Sequence, residues 1–218
     1  MDTIKIREKI GFPNKRQDWV KFPALFTNNS LLINGHQVME AWETNYMKSL
    51  ASIATKNKGN ILEVGFGLGI STKFIQNYDI NKHVIIECNL DVIKKGRKAY
   101  SDKIKSGKVK FIKGLWEDVT SKLADESFDG ILFDTYPLSE KEIHKNHFYF
   151  FKEAYRLLKK EGILTYYSDE AKNFSKEHIN KLNEAGFEKI SFKVCKVNPP
   201  KDCIYWNKKT IIAPIIVK

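Results

Sequence analysis

Arginine is scarce in this chain. Only four of its 37 basic residues are arginine (Arg7, Arg16, Arg97 and Arg156), although the formal net charge is +11. Proteins that read phosphates and bases lean on the planar guanidinium fork. A positive charge carried almost entirely by lysines scattered along the chain therefore reads as a solvated surface, and no specific nucleic-acid partner is expected. Cysteine is also rare. Cys88, Cys195 and Cys203 form neither a CxxC pair nor a metal-ligand spacing, so no metal site is expected. An odd cysteine count without an export signal fits reduced thiols and a cytoplasmic protein. No apolar run approaches the roughly 20 residues of a membrane helix, and the charged N-terminus "MDTIKIREKIGFPNKRQDW" has no apolar signal region. Neither a membrane partner nor an internal repeat is in view.

What is present suits one sizeable core. The 218 residues are 42% hydrophobic with a mean hydropathy of −0.41. From Asn60 onward strand-like runs alternate with helical patterns: "NILEVGF", "HVIIECN", "KVKFIKG", "DGILFD" and "GILTYYS" are separated by "GISTKFIQNY", "LDVIKKGRKAY", "EDVTSKLA" and the long "SEKEIHKNHFYFFKEAYRLLKK". "SKEHINKLNEAG" adds a helix, and "KISFKVCKV" and "TIIAPIIVK" close the chain as two strands with no helix between them. The pattern predicts an α/β protein with a Rossmann-like, seven-stranded, mostly parallel sheet, an antiparallel edge strand and helices on both faces. Pro214 lies inside the last strand and argues that this strand is an edge or carries a bulge. Residues 60–218 form the core. Residues 1–59 read as a cap of the same domain, irregular around Trp19, Phe22 and Phe26, followed by a helix through "HQVMEAWETNYMKSLASIATK". On that helix Met39, Glu43 and Met47 would share one stripe.

The chemistry concentrates at strand ends. "ILEVGFGLGIST" places Gly65, Gly67 and Gly69 where the first core strand turns into a helix, with Glu63 two residues ahead. In open α/β sheets ligands bind beyond the carboxyl ends of the strands, and glycines there allow close backbone approach. The dinucleotide fingerprint is GxGxxG. The spacing here, E-x-G-x-G-x-G, resembles the nucleoside-binding turn of class I S-adenosylmethionine (SAM) methyltransferases, with a nicotinamide cofactor or an empty tight turn as alternatives. Glu87 ends the second strand, where a carboxylate can accept both ribose hydroxyls. Trp116 and Glu117 follow the third strand and could flank and reach an adenine. Asp134 ends an apolar run, an expensive place for a carboxylate without a partner. Glu43, on its methionine stripe, needs a cation or solvent for the same reason.

Together, "VMEAWETNYM", "ILEVGFGLGI", "IIECN", "GLWEDV", "FDGILFDTYPLS" and "NPPKDCIYW" resemble the guanidinoacetate N-methyltransferase family over residues 38–218. The resemblance implies a SAM-dependent enzyme that releases S-adenosylhomocysteine, with a small-molecule guanidino substrate; a monomer or homodimer is expected. It implies cofactor contacts at Trp19, Met39, Met47, Gly69, Ile70, Ser71, Thr72, Lys73, Phe74, Glu87, Cys88, Asn89, Trp116 and Glu117, and the strand-end residues Glu63, Gly65, Gly67 and Asp134 are expected at the same cofactor. It implies substrate contacts at Glu43 and Asp134, with Asp134 the base and Glu43 the orienting acid. A guanidinium stays protonated below a pKa of about 12, so it must lose a proton to act as a nucleophile, and two carboxylates can hold its N–H fork.

One stretch departs from the family. Where the family continues "CNLT" to hold a substrate carboxylate, this chain has "YSDEAKNFS", with Ser168, Asp169 and Glu170, and is about a dozen residues shorter. Asp169 and Glu170 are therefore expected at the far end of the substrate. Guanidinoacetate, giving creatine, is the first candidate acceptor; arginine, agmatine or another guanidine is the alternative. An RNA methyltransferase, or a non-catalytic module with the same fold, stands as a reading of a different class.

Overall fold

The computed structural model describes residues 10–218. The part of the N-terminal cap before residue 10 lies outside the described residues. A 3-10 turn, Arg16–Val20, leads into a small antiparallel sheet of β1 (Ala24–Phe26), β2 (Ser30–Ile33) and β3 (His36–Glu40). The helix α1 begins only at Thr44 and ends at Ala54. The expected helix through residues 36–56 is thus half strand. The switch is made by a reciprocal pair: Glu40 N donates to Glu43 Oε1 at 2.8 Å, and the Glu40 side chain accepts from the Glu43 backbone. This capping box satisfies helix-end donors while Glu40 keeps an extended φ of −133°. Met39 and Met47 consequently sit on different elements and share no stripe.

The main sheet contains β4 (Asn60–Val64), β5 (Lys82–Glu87), β6 (Val109–Lys113), β7 (Phe128–Phe133), β8 (Leu158–Tyr166), β9 (Lys189–Lys196) and β10 (Thr210–Val217). Its order is β6-β5-β4-β7-β8-β10-β9. The first five strands are parallel, and β10 runs antiparallel to both neighbours. Between them lie α2 (Ile70–Ile75), α3 (Leu90–Ala99), α4 (Ser101–Lys105), α5 (Trp116–Val119), α6 (Asn146–Leu157) and α7 (Lys176–Glu184). Alternate residues of each strand feed opposite faces. Ile61, Ile85 and Leu132 pack with α1 and the cap, while Leu62, Ile86 and Phe133 pack with Phe150 and Phe151 of α6.

Two further expectations change. The long helix over residues 139–160 is shortened to α6: a 3-10 turn, Glu140–Glu142, precedes it, His144 has a left-handed φ of 61°, and residues from Leu158 join β8. The ladder between β7 and β8 jumps from Phe128↔Leu158 to Gly130↔Ile163, which takes up the extra residues as a bulge. Pro214 sits in β10, an interior strand. It is tolerated because β10 pairs with β8 only at Ile216 and Val217, so the missing N–H at Pro214 breaks no rung there. Further along, side chains fill that seam: the Ile212 carbonyl accepts from Tyr46 Oη at 2.9 Å and Ser168 Oγ at 2.8 Å.

Chain order runs outward from β4 through β5 to β6 and then restarts at β7 on the other side. The carboxyl ends of β4 and β7 therefore flank the point of reversal, where open sheets leave a crevice. Among the described residues no helix is long and apolar enough to cross a membrane.

Candidate active site

A cavity of about 440 Å³ opens at that crevice. Its floor is the turn after β4. Gly65 has φ 92°, and a Cβ there would lie 1.9 Å from the Asp134 carbonyl oxygen, so only glycine lets the chain leave β4 this close to the end of β7. Gly67, at φ 52°, is crowded by Met39 Sδ, which also lies 3.3 Å from Leu68 N. These two glycines thus answer first to close packing against protein.

Glu87 forms one wall. Its Oε2 accepts from Phe66 N at 3.0 Å, and its Oε1 accepts from Cys88 N at 2.7 Å and Asn89 N at 2.9 Å. Three N–H groups fix this carboxylate at the cavity edge. Asn89 beside it caps α3 through Oδ1 (Asp91 N at 3.0 Å, Val92 N at 3.2 Å), while its Nδ2 donates to the carbonyls of Trp19 at 3.0 Å and Phe22 at 2.8 Å. One buried amide therefore fastens the N-terminal cap to the end of β5. Trp19 reaches across the opening, and its Nε1 donates to the Leu138 carbonyl at 3.3 Å. Its indole lies in an aromatic cluster with Phe12, His36 and Tyr136. Trp116 supplies a flat apolar wall, held edge-on by Phe133 and Phe150. Burial raises the pKa of Glu117, against the pull of Arg16, whose Nη1 is 3.4 Å away.

Glu43 and Asp134 face the far part of the cavity. Glu43 is 2% exposed. Its Oε1 accepts from Tyr205 Oη at 2.5 Å as well as from Glu40 N. Burial, and then the nearby Asp134, pushes its pKa up. Asp134 is raised as well, first by burial, then by the charges of Glu63 and Asp169. Neither acid makes an ion pair with lysine or arginine among the described residues. Tyr167 also lines the cavity, and its buried hydroxyl has no hydrogen-bond partner among the described residues. A pair of acids that repel one another and lack a cation is a receptor for one.

The guanidinoacetate N-methyltransferase family model matches residues 12–218. The chain belongs to the guanidinoacetate N-methyltransferase family. It carries a SAM-dependent methyltransferase domain, with SAM as the methyl donor. It is similar to protein arginine N-methyltransferase 2 of Candida glabrata, 38% identical over 52% of this chain and 28% of that one. The same-named protein of Kluyveromyces lactis is 31% identical over 69% of this chain and 38% of its own. The chain thus spans well under half the length of these relatives. Among solved structures it resembles spermidine synthase in complex with the transition-state analogue AdoDATO (TM-score 0.66, 14% identity, covering 89% of this chain and 72% of that one). It also resembles the O-methyltransferase from Bacillus cereus in complex with SAH (TM-score 0.56, 17% identity, covering 82% and 81%). At these identities the structures establish the shared Rossmann-like methyltransferase fold.

The cavity wall fits the family's adenosyl donor by its own chemistry: a fixed carboxylate for hydroxyls at Glu87 and an aromatic face at Trp116. Of the residues expected at the site, Trp19, Met39, Glu43, Gly65, Gly67, Glu87, Cys88, Asn89, Trp116, Glu117, Asp134 and Asp169 line this cavity. Met47 does not; it sits on α1 with its side chain buried in the core. Nor does Glu63, whose carboxylate is turned into the protein. It accepts from Ser71 Oγ and, at 2.5 Å, from Thr72 Oγ1, and lies 3.0 Å from His83 Nε2. This explains why Ser71 and Thr72 are also absent from the wall: their hydroxyls tie α2 to β4. Gly69, Ile70, Lys73 and Phe74 lie along or just ahead of that short helix and outside the cavity, with Lys73 exposed. Glu170 also turns away, accepting from Ser175 N at 3.0 Å. Sequence reasoning missed Tyr205, Tyr167 and His144 as wall residues. Tyr205 is 162 positions from Glu43, and nothing local announces the pairing.

Proposed function

We propose that the protein methylates a guanidino nitrogen. The carrying observation is the pair Glu43 and Asp134, two acids of raised pKa without a lysine or arginine counter-ion, at the carboxyl edge of a methyltransferase sheet. A guanidinium supplies the missing charge and several N–H donors in one plane. Glu43, held by Tyr205 and Glu40, orients the fork with its remaining acceptor capacity. Asp134 takes the proton that leaves the nitrogen as it is methylated. Its elevated pKa suits that task, because a base is most effective near the working pH. When bound, SAM supplies an electrophilic methyl group on a sulfonium. Glu87 would hold its hydroxyls, Trp116 and Glu117 would flank its base, and the cap carrying Trp19 would exclude water from the cleft.

The relatives named protein arginine N-methyltransferase 2 support a guanidino acceptor in general, with arginine beside guanidinoacetate as a substrate to test. An RNA acceptor fits poorly, since phosphates would meet an acidic wall. Transfer of labelled methyl from SAM to guanidinoacetate, arginine, agmatine, an arginine-containing peptide and RNA tests the reading. Turnover of at least one guanidine well above RNA is expected; RNA as the best acceptor would refute it.

A further inference from the structure

Six described residues other than glycine have a left-handed φ: Asn34, Lys58, Glu126, His144, Glu161 and Asp169. Of these only His144, at φ 61°, and Asp169, at φ 56°, line the cavity. They stand on different loops, after β7 and after β8, and their side chains meet, with His144 Nδ1 2.6 Å from Asp169 Oδ1. Left-handed backbone is unfavourable for a residue with a Cβ, though less so for Asp and His than for most, and persists where the surroundings fix it. Here two such residues bring an acid and an imidazole to one spot on the wall of the acceptor cleft. A purely structural clasp between loops would have no need to face the cavity. These side chains stay partly open, 30% for His144 and 14% for Asp169.

The charge inventory gives this spot a meaning. Glu43 and Asp134 already suffice to hold a guanidinium. Asp169 adds a third acid close enough to raise the pKa of Asp134. Beside it a substrate carboxylate would meet like charge and an ammonium would be attracted; Lys141, which also lines the cavity, is the cation that works against this preference. Glu170, the other acid expected to read the tail, is removed from consideration by its turn toward Ser175.

We propose that Asp169, positioned by His144, selects the tail of the acceptor: the substrate is a guanidine whose far end carries an ammonium group, and a guanidine ending in a carboxylate alone is disfavoured. This deepens the proposed function and rests on it. Free arginine, which has both groups, falls between agmatine and guanidinoacetate.

The test is calorimetric binding of agmatine, arginine and guanidinoacetate to the full chain loaded with S-adenosylhomocysteine, with thermal midpoints measured alongside. Wild type should bind agmatine at least about tenfold more tightly than guanidinoacetate, the scale of one short-range charge contact in a partly dry cleft. Asp169→Asn should erase most of that preference by weakening agmatine, with S-adenosylhomocysteine affinity and thermal midpoint held. His144→Leu, which keeps the charge but frees it, should reduce the preference by a smaller factor. Guanidinoacetate binding best to wild type, or a preference that Asp169→Asn leaves intact, overturns the proposal while leaving guanidino methylation standing. A preference unchanged in His144→Leu refutes the positioning role. Failure of all three guanidines to bind wild type overturns the proposed function and this specificity with it.

Discussion

Glu63 and the pair Glu43–Asp134 are acids within one sheet-and-cap assembly, yet they differ in what surrounds them. Glu63 is fully buried, accepts from two hydroxyls, and has an imidazole 3.0 Å away. That imidazole is held in turn: Gln76 Nε2 lies 2.9 Å from His83 Nδ1, and Lys103 Nζ donates to Gln76 Oε1 at 3.0 Å. Glu43 has partners on one oxygen, and Asp134 shows no side-chain ion pair among the described residues. A saturated buried acid stabilises the fold. An acid left partly unanswered at a cavity wall is available to a ligand. The distinction can be attacked from both sides.

The largest effect belongs to Asp134→Asn. An amide cannot take the proton, so kcat should fall by about 10²–10⁴, the usual weight of general-base catalysis. The thermal midpoint should stay or rise, because the charge removed is one that burial disfavours. A variant that retains near-normal kcat would falsify the base role. Next comes Glu63→Ala, with the opposite signature. It strands Ser71, Thr72 and His83 in the interior, and should cost about 3–5 kcal/mol, as breaking one side of a buried polar network does. For a chain of this size that is a midpoint lower by roughly 6–20 °C. Turnover per folded molecule, measured well below the midpoint, should change little. A large loss of SAM affinity with an unchanged midpoint would instead put Glu63 in direct touch with the cofactor.

The pH dependence of stability should separate the same two classes. Glu43 and Asp134 have pKa values raised above the usual carboxylate range, mainly by burial. For such acids the unfolded chain gives up its protons first as pH rises. The native state then binds more protons than the unfolded one, so stability falls with rising pH until the native groups ionise as well. The substrate-free protein should therefore lose several degrees of thermal midpoint between about pH 5 and neutrality. Asp134→Asn should flatten that slope, since it removes one acid and relieves the other. Because other groups titrate in the same range, the decisive quantity is the difference in slope between wild type and variant. Equal slopes would count against the raised pKa values.

How much of this was readable beforehand follows the range of each interaction. The alternation after Asn60 and the glycine turn are local patterns, and the parallel sheet followed from them. Asp134 was legible because an acid directly after an apolar run must stand at a strand end. Met39, Glu43 and Met47 misled because their spacing satisfies a helix, whereas the capping exchange between Glu40 and Glu43 starts the helix only at Thr44. Glu63 was expected at the cofactor, yet it does not line the cavity, for a related reason. Its partners Ser71, Thr72 and His83 each looked unremarkable, and only the folded geometry turns its carboxylate inward. Pro214 was a fair edge signal, defeated by a gap in the ladder that no sequence displays. Tyr205, 162 positions from Glu43, and His144, 25 from Asp169, carry no local signature at all.

Two neighbouring tyrosines show the same contrast between answered and unanswered groups at the scale of one hydroxyl. Tyr46 and Tyr167 meet edge to face with ring centroids 5.4 Å apart, so they share a setting and differ at the hydroxyl. Tyr46 Oη donates toward the carbonyls of Ile212, at 2.9 Å, and Tyr166, at 3.2 Å, closing the seam between β8 and β10. The Tyr167 hydroxyl is buried with no such partner among the described residues. Tyr46→Phe leaves the Tyr166 carbonyl without that bond, and Ile212 keeps only Ser168 Oγ, so a loss of about 1–2 kcal/mol is expected. Tyr167→Phe removes a hydroxyl that was desolvated without compensation, so stability should hold or rise by up to about 1 kcal/mol. The same change should be felt in function, because the ring lines the cavity that also holds Glu43 and the hydroxyl lies in the field of Glu43 and Asp169. A bound guanidinium or its tail would supply the missing partner, and Tyr167→Phe should then raise the acceptor KM several-fold with SAM affinity unchanged. Denaturant midpoints and acceptor KM for both variants decide the matter. If Tyr167→Phe destabilises as much as Tyr46→Phe, its hydroxyl was already satisfied in the free protein, and the division between answered and unanswered polar groups fails at the place where it is drawn most sharply.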